Sequence, residues 1–221
     1  MKKIKKNKPA FTLAEVLIVI GIIGIVAAIT IPNLINNYNA KKLRTQFLKS
    51  YSLITQMFKQ YSDDGQTNTI CRQTYKQFIN YSSNATDCGY DGSTCYKEDV
   101  SNKYKTINNQ TFSNGRLNDG MILLPSGELL MFEDGNAAKG IILISVDING
   151  YKNPPNKAGY DLFTFQYIDG EVFAMGDTKT YYVGKDYCDI TKNDKSVGGI
   201  SCALFAKDDS EYFKKAVKEL K

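Results

Sequence analysis

Residues 11–34 read FTLAEVLIVIGIIGIVAAITIPNL. From Phe11 to Ile31 the run holds one charged side chain, Glu15. At about 1.5 Å rise per residue a helix over this run matches the ~30 Å hydrocarbon core of a bilayer. Upstream stands MKKIKKNKPA, with Lys2, Lys3, Lys5, Lys6 and Lys8. Lysines ahead of an apolar segment predict a cytoplasmic N-terminus and a single pass that delivers the rest of the chain outside. These five lysines account for the whole net charge of +5. The remainder is formally neutral, so no general nucleic-acid or polyanion binding is predicted.

Three fates of the segment compete. An ordinary signal peptide would be cut after Val26-Ala27-Ala28, before Ile29. A plain membrane anchor would stay uncut. Neither gains anything from Glu15, because a charge costs ~2.5–3.5 kcal/mol at a membrane-helix centre and somewhat less near its end.

The order of features from the basic leader through Phe11, Glu15 and the Gly-containing apolar run to Pro32 resembles the N-terminus of type IV prepilins and type II secretion pseudopilins. The resemblance covers roughly residues 5–40. It implies that a prepilin peptidase removes residues 1–10 by cutting between Ala10 and Phe11, and that Phe11 is then N-methylated. It implies that Glu15 neutralises the N-terminal amine of a neighbouring subunit during filament assembly. Its further implications are a helix kink at Pro32, an inner-membrane location, and partnership with like or related subunits, the assembly platform and membrane lipid. The family's usual Gly before the cut is Ala10 here. Gly21 and Gly24 lie in the run at G-x-x-G spacing, a weak signal for close helix packing.

Beyond Pro32 the pattern stays helical but becomes one-sided. Ala40, Leu43, Phe47, Tyr51, Ile54, Phe58 and Tyr61 step by three or four, which predicts an amphipathic continuation over residues 33–62, ended by Asp63-Asp64-Gly65. Residues 63–118 are polar and hold Cys71, Cys88 and Cys95. They read as a connecting region with one short helix near Tyr75–Tyr81. From Asp119 the signal turns β over residues 119–221. Strands are expected at Met121–Leu124, Glu128–Phe132, Gly140–Asp147, Leu162–Tyr167 and Glu171–Ala174, separated by Pro-Ser-Gly and Asp-Gly turns. A charged helical pattern closes the chain over Asp209–Lys221. The fold class is α+β: a long N-terminal helix on a small antiparallel sheet of four or five strands.

Five cysteines follow the apolar run and none forms a C-x-x-C pair. In an exported domain they read as disulfides with one thiol over. Cys188 with Cys202 and Cys88 with Cys95 are the plausible pairs, although spacing does not fix connectivity. The loop VDINGYKNPPNKAGYD offers Asp147, Asn149 and Asp161 as hard oxygen ligands suited to calcium, the possible cofactor; the other reading is a turn-rich connection. With no histidine, no Walker loop and no nucleophile motif, the chain reads as a structural subunit and not an enzyme. The alternative is an exported binding domain behind an ordinary signal peptide or an uncleaved anchor.

Overall fold

The computed structural model describes residues 12–65, 74–134, 141–191 and 196–220. The chain divides after Tyr38 into two compact units, and helix α1, Leu13–Asp63, runs through both. In the first unit the apolar side chains are exposed on every side of the helix, from Leu13, Leu17 and Ile20 to Ile25, Ile29 and Leu34. A helix apolar all round has a nonaqueous covering as its natural environment, and α1 is long and apolar enough to cross a membrane. Pro32 lies inside α1, which continues beyond it to Asp63.

In the second unit α1 buries one stripe: Ala40, Leu43, Phe47, Ser50, Ile54, Met57, Phe58 and Tyr61. Tyr51, expected in that stripe, is only partly buried and stacks on Phe165, ring centroids 5.5 Å apart. A six-stranded antiparallel meander lies against the stripe, in the order β1 (Thr86–Asp87), β2 (Met121–Leu123), β3 (Leu129–Glu133), β4 (Ile142–Asp147), β5 (Leu162–Ile168) and β6 (Glu171–Ala174). The period of two along a strand sorts the side chains. Phe163, Phe165 and Tyr167 of β5 and Ile142, Ile144 and Val146 of β4 share one core with the α1 stripe. Leu162 and Leu143 belong to a second core on the other face. Contacts between aromatic rings join helix to sheet: Phe47 to Phe163 at 4.8 Å and Phe58 to Tyr167 at 4.7 Å between centroids.

Burial on both faces explains why β3 and β4 read as nearly continuous apolar runs. Their polar members are paired inside, as with Ser145 and Thr164, whose hydroxyls lie 2.7 Å apart across the β4–β5 register. Residues 86–118 are more than a connection. They supply β1, a short helix α3 (Ser93–Tyr96) and a 3-10 turn at Asn114–Arg116, and they send Val100, Tyr104, Phe112 and Leu117 into the second core. The sheet therefore has six strands, where the turn pattern predicts four or five. The short helix near Tyr75 is α2, Thr74–Ile79. The strand expected from Gly140 starts at Ile142, and Gly140 itself lies outside the described residues.

Cys88 is bonded to Cys95 and Cys188 to Cys202; Cys71 lies outside the described residues. Closing a loop of about 15 residues is worth roughly 3 kcal/mol in the chain-entropy account, so Cys188–Cys202 pins the start of helix α4 (Cys202–Asp208) to the preceding loop. Helix α5, Tyr212–Glu219, follows and buries Phe213, Ala216 and Val217. The helical pattern expected over Asp209–Lys221 is met by α5, and α4 lies before it, outside that pattern.

Phe47 is fully buried, while its neighbour Leu48 is 42% exposed. Phe47→Ala should cost about 3–5 kcal/mol and Leu48→Ala no more than about 0.5 kcal/mol, measured by urea unfolding of the full chain in mild detergent.

Candidate functional site

Two places carry the functional residues expected from the sequence. The first is the start of α1. Ala10 and Phe11 lie outside the described residues, and Glu15 sits in the helix's first turn. The Thr12 backbone N–H and the Thr12 hydroxyl both donate to Glu15 Oε2, each at 2.8 Å. The Glu15 backbone N–H donates in return to Thr12 Oγ1 at 3.3 Å. This reciprocal arrangement is a capping box, T-x-x-E, with Thr12 as N-cap and Glu15 at the third helical position. It satisfies donors that a helix start leaves without intrahelical partners. A carboxylate near a helix N-terminus also meets the positive end of the helix dipole. Glu15 therefore has a local role in starting α1. The T-x-x-E spacing is the sequence signal of this cap.

The second place is the loop between β4 and β5. The register sets Asp147 opposite Leu162, and the Ile148 N–H donates to the Asp161 carbonyl at 2.9 Å. This brings Asp147, Asn149 and Asp161 together, as the loop sequence suggested. Asp147 Oδ1 accepts the N–H groups of Gly150 at 2.8 Å and Asn149 at 3.3 Å. Its Oδ2 accepts the Tyr104 hydroxyl at 2.8 Å. Asp161 Oδ1 accepts the Lys157 N–H, and Oδ2 accepts the Asn156 N–H at 3.0 Å and the Asn149 side-chain amide at 3.5 Å. Gly150 is needed where it stands: its φ is +83°, and an added Cβ would collide with the Gly127 carbonyl. Tyr104 was not foreseen, because it lies 43 residues from Asp147 and no local pattern marks it.

Both carboxyl groups are fully buried. Burial, and then the charge of Asp161, holds Asp147 well above the usual carboxylate range. Burial pushes Asp161 up to about 6. Lys157 is also buried, but its ammonium is hydrogen-bonded to the Leu220 carbonyl at the end of α5, and burial lowers its pKa. Two amide oxygens of the same loop, Asn149 Oδ1 and Asn156 Oδ1, are buried with no hydrogen-bond partner among the described residues. Among the described residues no three His, Cys, Asp or Glu side chains cluster as a metal site. The donor set is instead two carboxylates and two spare amide oxygens, all hard oxygens, and it fits a calcium ion by chemistry.

Comparison with known proteins bears on the first place. Residues 5–31 match the prokaryotic N-terminal methylation motif, a type IV prepilin-like signal. The match spans the second half of the basic leader, Phe11, the Thr12–Glu15 cap and the apolar run to Ile31. No curated protein and no solved structure matches the chain.

A carboxyl whose pKa is raised by folding stabilises the protein at low pH and loses that contribution as pH rises through the folded value. For Asp161 the window runs from about 4 to about 6. In EDTA, stability of the full chain should therefore fall between pH 5 and pH 7.5. Asp161→Asn should flatten that slope in urea titrations at the two pH values.

Proposed function

We propose that the chain is the precursor of a pilin-like structural subunit. The observation that supports this most is the methylation motif over residues 5–31, which runs into a helix long and apolar enough to cross a membrane. On this reading prepilin peptidase cuts between Ala10 and Phe11. Phe11 is N-methylated, and the subunit waits in the inner membrane with its N-terminus cytoplasmic and its disulfide-bonded domain outside. It then joins like or related subunits in a type IV pilus or a type II secretion pseudopilus. Pro32 is the point at which α1 can bend, because proline supplies no backbone donor to the preceding turn.

Glu15 is the assembly residue in this proposal. After the cut, Phe11 carries a free amine at the membrane edge. An ammonium and a carboxylate on different subunits attract strongly in low dielectric, and each is costly to leave alone there. The pair rewards assembly over the isolated subunit. Glu15→Ala should leave the leader cut normally and lower incorporation into sheared filaments at least tenfold, as read by immunoblot of filament and membrane fractions. Normal incorporation would contradict the role given to Glu15.

A second reading concerns the β4–β5 loop. We infer that it holds calcium through Asp147, Asp161, Asn149 and Asn156. The supporting observations are two buried amide oxygens with no hydrogen-bond partner among the described residues, beside two buried carboxyl groups; Lys157, whose charge acts on Asp161, is hydrogen-bonded to the Leu220 carbonyl. Calcium would supply the positive charge that otherwise comes from a bound proton. Millimolar calcium at pH 7.5 should raise the thermal midpoint of the wild type and not of Asp161→Asn; an unmoved wild type removes the idea.

A further inference from the structure

Assembly chemistry alone asks only that residue 15 carry a charge. The structure adds a geometric condition. Glu15 Oε2 accepts two hydrogen bonds from one residue, Thr12. That fixes the side chain back along the first turn. Only Oε2 is engaged by Thr12; Oε1 has no hydrogen bond among the described residues. The carboxylate is thus divided: Oε2 closes the cap, and Oε1 is not used by it.

The sequence around this cap is complete. Thr12 is the N-cap and Glu15 the third helical residue, so Phe11 occupies the position before the cap and Val16 the fourth helical position. Apolar residues at those two positions are the pattern of a hydrophobic staple. The proposed cut before Phe11 leaves every member of this signature on the mature chain. A cut one residue later would turn the Thr12 amide into an ammonium and remove the staple residue. The first turn of α1 is also where exposed apolar side chains begin, with Leu13 79% exposed. In such surroundings unsatisfied backbone donors cost several kcal/mol each and water is scarce. The cap therefore matters more here than on a soluble helix.

From this geometry we propose that Thr12 is the positioning residue for Glu15: its hydroxyl holds Oε2 so that Oε1 is presented to the amine of a neighbouring subunit. The inference rests on the assembly role of Glu15 given above and adds a second residue to it. It also separates two functions of Glu15. Glutamine can close the same capping box but cannot neutralise an amine, whereas removing the Thr12 hydroxyl spares the charge and loosens its placement.

The test uses the full-length precursor expressed with its own assembly machinery, in four variants: Thr12→Ser, Thr12→Val, Glu15→Gln and Glu15→Ala. Leader removal and the filament-bound fraction are measured for each. Thr12→Ser, which keeps the hydroxyl, should assemble like wild type. Thr12→Val should be cut normally yet lose at least fivefold in filament incorporation, and Glu15→Gln should lose as much as Glu15→Ala. If Glu15→Ala fails and Thr12→Val assembles normally, the positioning role is overturned while the assembly role stands. Normal assembly of Glu15→Ala overturns the assembly role itself. A Thr12→Val chain that is not cut, beside a Thr12→Ser chain that is, also overturns the proposal, because it places the hydroxyl in peptidase recognition.

Discussion

One helix has to satisfy two surroundings, and the rest of the structure follows from that. Up to about Leu34, α1 exposes apolar side chains on every side. From Ala40 to Tyr61 it buries a single stripe. The second half is covered by the chain itself, through the aromatic side chains of β5 at contact distances below 5 Å between ring centroids for Phe47–Phe163. The first half has no such cover among the described residues. Dispersion and hydrophobic burial fix the sheet on the stripe, while the same forces leave the N-terminal half in need of lipid or of other subunits. The charged side chain in that stretch is Glu15, the residue to which the proposed assembly role is given.

Charge is handled differently in the second unit. Lys49 of α1 reaches Glu128 at 2.7 Å, and hydrogen bonds from Lys49 and Ser126 hold Glu128 below its ordinary range although burial opposes this. That pair ties helix to sheet at the β2–β3 turn. Among the described residues Asp147 and Asp161 have no such ion pair; Lys157, whose charge acts on Asp161, is hydrogen-bonded to the Leu220 carbonyl. Their oxygens accept donors from the loop and from Tyr104, which holds the loop but leaves two buried negative charges side by side when both ionise. Desolvation of such groups is expensive. A bound proton relieves it, and in the calcium proposal the cation takes that part.

Much of this was legible in the sequence where local rules decide. The helix stripe followed from 3.6-residue spacing, and its end at Asp63 from Asp-Asp-Gly. Strands β2 to β6 followed from Pro, Gly and Asp turns within a residue or two. Both disulfide pairs are among the candidates, Cys188–Cys202 because they flank a Gly-rich stretch and Cys88–Cys95 because they are the most local choice. Residues 86–118 were harder to read. They pack through single large side chains, such as Tyr104 and Phe112, set among polar residues with no period. β1 is two residues long, too short to show alternation. Helix α4 follows a Gly-containing stretch, and its apolar side chains read as well for a turn. At Thr12 the apolar run masks the signal: Glu15 reads first as a charge where lipid is expected, and the T-x-x-E spacing stands out as a cap only beside its hydrogen bonds.

The central claim is that the N-terminal run is a processed assembly segment and not a secretion signal or a plain anchor. Mass spectrometry of the N-terminal peptide, taken from the protein made in its own host, tests this most directly. The account predicts a mature chain that begins with N-methylated Phe11 and retains Thr12 and Glu15. A chain beginning at Ile29, or one that keeps Met1 and its lysines throughout, would contradict it.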